Sequence, residues 1–157
     1  MLILLFHLGN NRYAVKSERV REVSPMVNLQ PLPHAPDCLA GLFHYRGLVI
    51  PVVDLGSLIH GRACQMRLST RIIVVDYARG ENFPPVVGLL AEKVIEAKRT
   101  SQDSFVSTGV HIDAVPFLSR VMMEGNDAIH LLDLELLPAS LGFLEGVQDP
   151  AEETINI

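Results

Sequence analysis

Two kinds of residue cluster in this chain could carry chemistry, and they point in different directions. Six histidines and two cysteines invite a search for a metal or a nucleophile. His7, His34, His44, His60, His111 and His130 form no pair at helical i, i+3 or i+4 spacing, and Cys38 and Cys64 lie in no metal-ligand pattern, so no metal site is expected. Ser, His and Asp are present without a Gly-x-Ser-x-Gly elbow, and no glycine-rich phosphate loop occurs, so neither a hydrolase nor a nucleotide-binding site is indicated. The stretch from Gly41 through Phe43-His44-Tyr45-Arg46-Gly47 to Asp54-Leu55 is different. Two apolar β-type runs flank a turn that holds one cation, and Gly47 can take the positive φ such a turn needs, which pushes Arg46 outward. An exposed Arg on a rigid turn suits a binding contact.

The elements that must position this Arg can be read outward from it. Leu48 to Val53 is apolar at every position and is expected to be a strand covered on both faces. Pro51 lacks an N–H, so the strand should lie at an edge or carry a bulge. Asp54 precedes Leu55-Gly56-Ser57-Leu58-Ile59 and can cap a short helix. Upstream, Leu2 to Leu8 and Arg12 to Val15 form a hairpin around Gly9-Asn10-Asn11, and Ser17 can cap a single helical turn leading into Val20–Val23. Pro25, Pro31, Pro33 and Pro36 keep the segment from Ser24 to Asp37 out of a helix. His60 to Ser69 is a polar connection and the candidate switch between two units.

From Thr70 the pattern begins again. Arg71 to Tyr77 is a strand, Ala78 to Pro85 a loop and Val86 to Leu90 the returning strand. Ser17 to Val23 then aligns with Ala91 to Ala97 at an offset of 74 residues, with Glu, a base, Val, a variable residue and Glu in order. Pro51-Val52-Val53-Asp54-Leu55 aligns with His130-Leu131-Leu132-Asp133-Leu134 at an offset of 79, each run leading toward a Leu-rich helix. Such ordered recurrence indicates a duplicated unit of about 70 residues, made of short strands and read as a small barrel. The expected fold is all-β: two small barrels or curled sheets packed at a shared interface, with a C-terminal helix from Leu136 to Leu144 interrupted by Pro138 and Gly142. Residues 1–147 then form one domain of two subdomains, and 148–157 an acidic mobile tail.

Composition narrows the function. A net charge of −5, with 13 Lys and Arg scattered along the chain, argues against nucleic acid, although a local basic spot could still meet an acidic partner. Met1 to Phe6 lacks the basic flank of a signal peptide and no apolar run approaches the ~20 residues of a membrane span, so a cytoplasmic protein is expected. Asp54 and Asp133 read as structural caps, and Gly47 as the structural half of the turn. No cofactor is implied.

The run Gly-x-x-x-x-Arg-Gly-x-x-x-Pro-Val-x-Asp-Leu, here Gly41 to Leu55, resembles the signature of the CheW-like domain of bacterial chemosensory systems. Tyr13 to Val23, Arg71 to Ala97 and Ile129 to Leu137 resemble the family's other segments in order. The resemblance implies two five-stranded, SH3-like barrels around a common core. It further implies a non-catalytic adaptor that joins the cytoplasmic tips of methyl-accepting chemoreceptors to a CheA-type histidine kinase, recruited to membrane-associated arrays without entering the membrane. Val20, Glu22, Gly41 and Arg46 match the family's receptor-facing residues. The turn common in the family, Asn-x-Arg-Gly, is here His44-Tyr45-Arg46-Gly47, and Phe117-Leu118-Ser119-Arg120, near the second repeat's turn, lacks the glycine often found there. These departures are compatible with an alternative chemosensory pathway such as surface sensing. Two other readings stand beside the adaptor: a protein that engages the kinase alone and caps or inhibits it, and a small enzyme or ligand-binding barrel using His44, Tyr45 and Arg46 as a polar site.

Overall fold

The computed structural model describes residues 1–77 and 82–145. Part of the expected Ala78–Pro85 loop and the whole acidic tail lie outside the described residues. The chain forms strands β1 (Leu2–Leu8), β2 (Asn11–Lys16), β3 (Val20–Pro25), β4 (Leu39–Tyr45) and β5 (Leu48–Asp54), and then the short helix α1 (Leu55–His60). The second half repeats the plan as β6 (Arg71–Asp76), β7 (Val86–Ala91), β8 (Lys93–Arg99), β9 (Val106–Ser107), β10 (Arg120–Glu124) and β11 (Asp127–Leu131).

One sheet has the order β8-β1-β2-β11-β10-β9 and the other β3-β6-β7-β5-β4. The duplication is therefore visible in the pairing, with a feature that strand patterns alone do not reveal. The third strand of each repeat leaves its own hairpin and joins the other repeat's: β3 pairs with β6, and β8 with β1. In each sheet one parallel pair links one repeat's first hairpin to the other repeat's last strand, β2 to β11 and β7 to β5. Each sheet also curls until its ends are tied by the chain itself. Gln30, downstream of β3, bridges Leu42 on β4, and β9, downstream of β8, pairs with β10. The result is two small SH3-like β units.

Strand alternation then sorts the side chains. Ile3, Leu5, Ala14, Met122, Ile129 and Leu131 fill one curled sheet with Phe105. Leu4, Phe6, Tyr13 and Val15, on the opposite face of β1 and β2, join Val52, Val53, Ile72–Val75 and the residues of β7 in the larger shared core. β6 and β7 are thus the strands covered on both faces. Each large side chain so buried contributes about 1.5–3 kcal/mol.

Gly88 sits where β5, β6 and β7 meet. A Cβ there would lie 2.7 Å from Ile72 Cγ2 and 3.0 Å from Val52 Cγ2. Both neighbours are fully buried and stiffly branched. Overpacking of this kind costs about 1–3 kcal/mol, so Gly88→Ala should lower the thermal midpoint by roughly 3–9 °C. An unchanged melting curve would contradict this account of the core.

Several local expectations are corrected. β5 is interior, between β7 and β4, so Pro51 is not on an edge. It faces Leu42, whose N–H and C=O are both engaged with Gln30, and it precedes Val52, where the ladder to β7 begins. The missing N–H consequently breaks no bond to β4. A bulge does occur beside it, but on β4, between Leu39 and Gly41. Nor is β5 covered throughout. Leu48 and Val49 project beyond the ladder to β7 and are 46% and 54% exposed. Ser17 begins a 3₁₀ turn, Ser17–Arg19, instead of capping it, and its hydroxyl has no hydrogen-bond partner among the described residues. The expected C-terminal helix is a single 3₁₀ turn, Leu137–Ser140, which ends where Leu141 leaves helical geometry at φ −119° and ψ 50°. The second repeat's turn is not at Phe117–Arg120 but at Gly125-Asn126, between β10 and β11.

Candidate functional site

The β4–β5 hairpin closes over two residues, with Tyr45 paired to Leu48. Arg46 has φ 46° and Gly47 φ 81°, the doubly left-handed turn that matches strand twist. Glycine takes that conformation freely, whereas a Cβ-bearing residue pays about 1–2 kcal/mol. Among the described residues only His34 and Arg46 are non-glycine residues with positive φ. The second hairpin supplies an internal control, because Arg46 aligns with Gly125 at the same offset of 79 residues, and Gly125 has φ 65°. In the second hairpin only the first turn residue is left-handed, and it is a glycine. The first repeat carries an Arg there despite the cost.

The guanidinium is held in place and left accessible. Its carbon lies 5.6 Å from the centre of the Tyr45 ring, whose residue is buried, so the ring face supports the cation. Arg46 Nε and Nη2 donate to Glu22 Oε2 at 3.3 and 3.2 Å. Glu22 reaches this point from β3, at the opposite end of the curled sheet, after a register shift between Val20 and Glu22. Neighbouring Arg21 pairs with Asp76 at 2.5 Å. The Arg46 side chain remains 72% exposed and that of Glu22 39%. An ion pair this wet is worth about 0–1 kcal/mol. Its geometry leaves Nη1 unoccupied by Glu22 and open to a second carboxylate.

Leu48 and Val49 place exposed apolar surface directly after the turn. Val20 is half-buried on β3 and packs against the shared core. Gly41 sits differently from the other three expected binding residues: it is buried, with φ 148°, and a Cβ would lie 2.8 Å from Gln30 O. Its lack of a side chain lets the Gln30 segment seal the curled sheet behind the hairpin. Gly41→Ala is therefore expected to loosen this seal and lower the thermal midpoint by several degrees, which differential scanning calorimetry would read. His44 and Tyr45 do not join Arg46 in a polar pocket, since alternation exposes His44 and buries Tyr45.

Asp54 caps α1 as expected, accepting from Ser57 N at 3.1 Å. It also accepts from Cys64 N, 3.1 Å from each carboxylate oxygen, and so pins the loop after the helix. Burial raises the Cys64 thiol well above its ordinary pKa, with the Asp54 carboxylate adding to the effect. Asp133 departs from the expected role. Its Oδ1 accepts from Glu135 N at 3.0 Å, an Asx turn instead of a helix cap. The Tyr45 support, the second bond of Asp54 and the exposed Leu48–Val49 pair were not expected from the chain pattern. The Asp54–Cys64 contact has no local signal, whereas the length mismatch between the two apolar runs could have hinted at the overhang.

Two small curled β units share one core, and a left-handed, exposed cation stands at a hairpin tip. The chain belongs to the CheW-like domain family, which matches residues 2–141. The protein FrzA of Myxococcus xanthus is 31% identical over 135 residues, covering 84% of this chain and 81% of that protein. The chemotaxis protein CheW of Rhizobium meliloti (strain 1021) is 29% identical over 92 residues. That alignment covers 59% of this chain and just over half, 56%, of the Rhizobium protein. The scaffolding protein TtCheW from Thermoanaerobacter tengcongensis shares the fold, with a TM-score of 0.72 at 22% identity, over 83% of this chain and 82% of that one. Family membership makes this a non-catalytic scaffold of the chemotaxis type. Among the described residues no helix is long and apolar enough to cross a membrane.

Proposed function

We propose that the protein is an adaptor coupling the cytoplasmic tip of a methyl-accepting chemoreceptor to a CheA-type histidine kinase, and that Arg46 is the centre of its receptor contact. The observation that carries this reading is the exposed left-handed Arg46 at a corner where the duplicated hairpin has glycine. In the proposed contact a receptor carboxylate pairs with the free edge of the guanidinium, Glu22 and Tyr45 hold that edge outward, and Leu48 and Val49 supply apolar area. Val20 supports β3 beneath Glu22, and Gly41 shapes the hairpin's base. The protein acts in the cytoplasm at receptor arrays, through geometry and without bond chemistry.

Kinase autophosphorylation measured with this protein alone, with a receptor cytoplasmic fragment alone, and with both tests the reading. An adaptor changes the rate only when both are present. Inhibition by this protein without receptor would replace the adaptor with a kinase-capping protein.

The strain at Arg46 gives a second expectation. Asn tolerates the left-handed corner better than Arg. Arg46→Asn should therefore melt at or above the temperature of the original protein while losing receptor binding. A fall in the midpoint of more than a few degrees would show that Arg46 serves the fold.

A further inference from the structure

Among the described residues the acidic chain carries one concentrated basic recess, and no residue of the β4–β5 hairpin lines it. A cleft of about 470 Å³ lies between the β1–β2 turn, the end of α1 with the loop that follows it, and the start of β8. Arg62, Arg67 and Lys93 line it together with His7, Asn10 and Asn11. Five other cations, Arg12, Arg19, Arg21, Arg46 and Lys98, each pair with a carboxylate. Among the described residues Arg62, Arg67 and Lys93 make no ion pair, and neither do Lys16, Arg71, Arg99 and Arg120, none of which lines this cleft. The cleft contains one acid, Glu92, and it is engaged with backbone: Oε1 accepts from Gly9 N at 2.7 Å and Oε2 from Gln65 N at 3.4 Å. Glu92 thus ties two walls of the cleft together while partly offsetting the cations.

His7 and Lys93 are direct cross-strand partners on β1 and β8, and His7 also faces Arg12 on β2. A proton on the His7 ring would therefore face a like charge on either side. Partial burial, then Lys93, then Arg12, hold the His7 ring below its ordinary pKa. The volume falls in the range of small-molecule sites. The lining, however, is polar and donor-rich, which suits an ion better than an apolar ligand.

We infer that this cleft binds the phosphoryl group of a small phosphorylated molecule. Three permanent cations against one carboxylate leave an excess near two positive charges, which a phosphate carrying about −1.5 to −2 balances and a single carboxylate does not. The Arg62 fork matches tetrahedral phosphate oxygens, Arg67 offers the N–H groups left by its Nη2 bond to Gln65 Oε1, Lys93 adds a point charge, and Asn10 and Asn11 carry amide donors in the lining. No residue of the proposed receptor contact lines the cleft.

Isothermal titration of the full chain with sodium pyrophosphate, at constant ionic strength and with citrate as a parallel titrant, tests the inference. Saturable one-site binding of pyrophosphate is expected, with citrate at least tenfold weaker. The double variant Arg62→Gln, Lys93→Gln should lose at least tenfold in affinity, and its melting temperature without ligand should be unchanged, because neither side chain makes a hydrogen bond among the described residues. Unsaturable heats, equal affinity for citrate, or an undiminished double variant would each overturn the assignment. Receptor capture by the double variant is expected to match that of the original chain, so failure here and failure of the adaptor reading can be told apart.

Discussion

Arg46→Glu is expected to abolish receptor capture while leaving the melting temperature within a few degrees. The binding loss follows from charge and placement. A buried charge pair at the centre of an interface typically costs 2 kcal/mol or more when truncated, about thirtyfold in affinity, and reversal adds repulsion from the receptor carboxylate. The replacement also places a second carboxylate beside Glu22, which now sits 3.2 Å from Arg46 Nη2. Stability responds little because both partners are substantially exposed and such pairs contribute about 0–1 kcal/mol. Glu inherits the same left-handed strain that Arg already bears, so the turn itself is no worse. Pull-down with an immobilised receptor tip and a melting curve on the same preparation make the comparison. Unchanged capture would remove Arg46 from the contact, and a collapsed melting curve would make it a structural residue.

The second large effect lies in stability and spares binding. Asp54→Ala removes the cap of α1, about 0.5–2 kcal/mol, and strands the buried Cys64 N–H, about 1–3 kcal/mol more. A total near 2–4 kcal/mol lowers the midpoint by roughly 5–15 °C. Asp133→Ala is the matched control. The two aspartates align in the repeat, yet Asp133 is only half-buried and its side chain serves one N–H, that of Glu135. Its loss should cost about 1 kcal/mol or less. Equal destabilisation at the two sites, read by chemical denaturation, would show that the repeat and not the local bonding sets their worth. At temperatures where Asp54→Ala is folded, it should bind receptor normally.

These contrasts also show where pattern reading succeeds. The hairpins at Leu2–Lys16 and Leu39–Asp54, the Asp54 cap and the duplicated plan were legible because each rests on neighbours in the chain: alternation, a glycine corner, a carboxylate before a helix. The exchange of β3 and β8 was not, because the Glu-base-Val-x-Glu run marks a strand without naming its partner. Pro51 and Leu48–Val49 misled for the same reason. Whether a strand is central, and how far its neighbour extends beside it, are properties of register and not of composition. The site divides similarly. Arg46 and Gly47 were visible as a turn, but the positive φ of Arg46, its seat on Tyr45 and its bond to Glu22 depend on curling β3 round to β4. Comparing the corner with Gly125 requires the correct register of the second hairpin, which places the turn at Gly125-Asn126 instead of near Ser119.

The account's central claim is that this protein joins two partners at once, and a bridging capture tests it most directly. Receptor cytoplasmic fragment is immobilised and incubated with CheA-type kinase in the presence and absence of this protein. The prediction is that retained kinase increases with added protein and that Arg46→Glu eliminates the increase while the variant still copurifies with kinase in solution. Kinase retention that is independent of the protein, or that survives Arg46→Glu unchanged, would contradict the account.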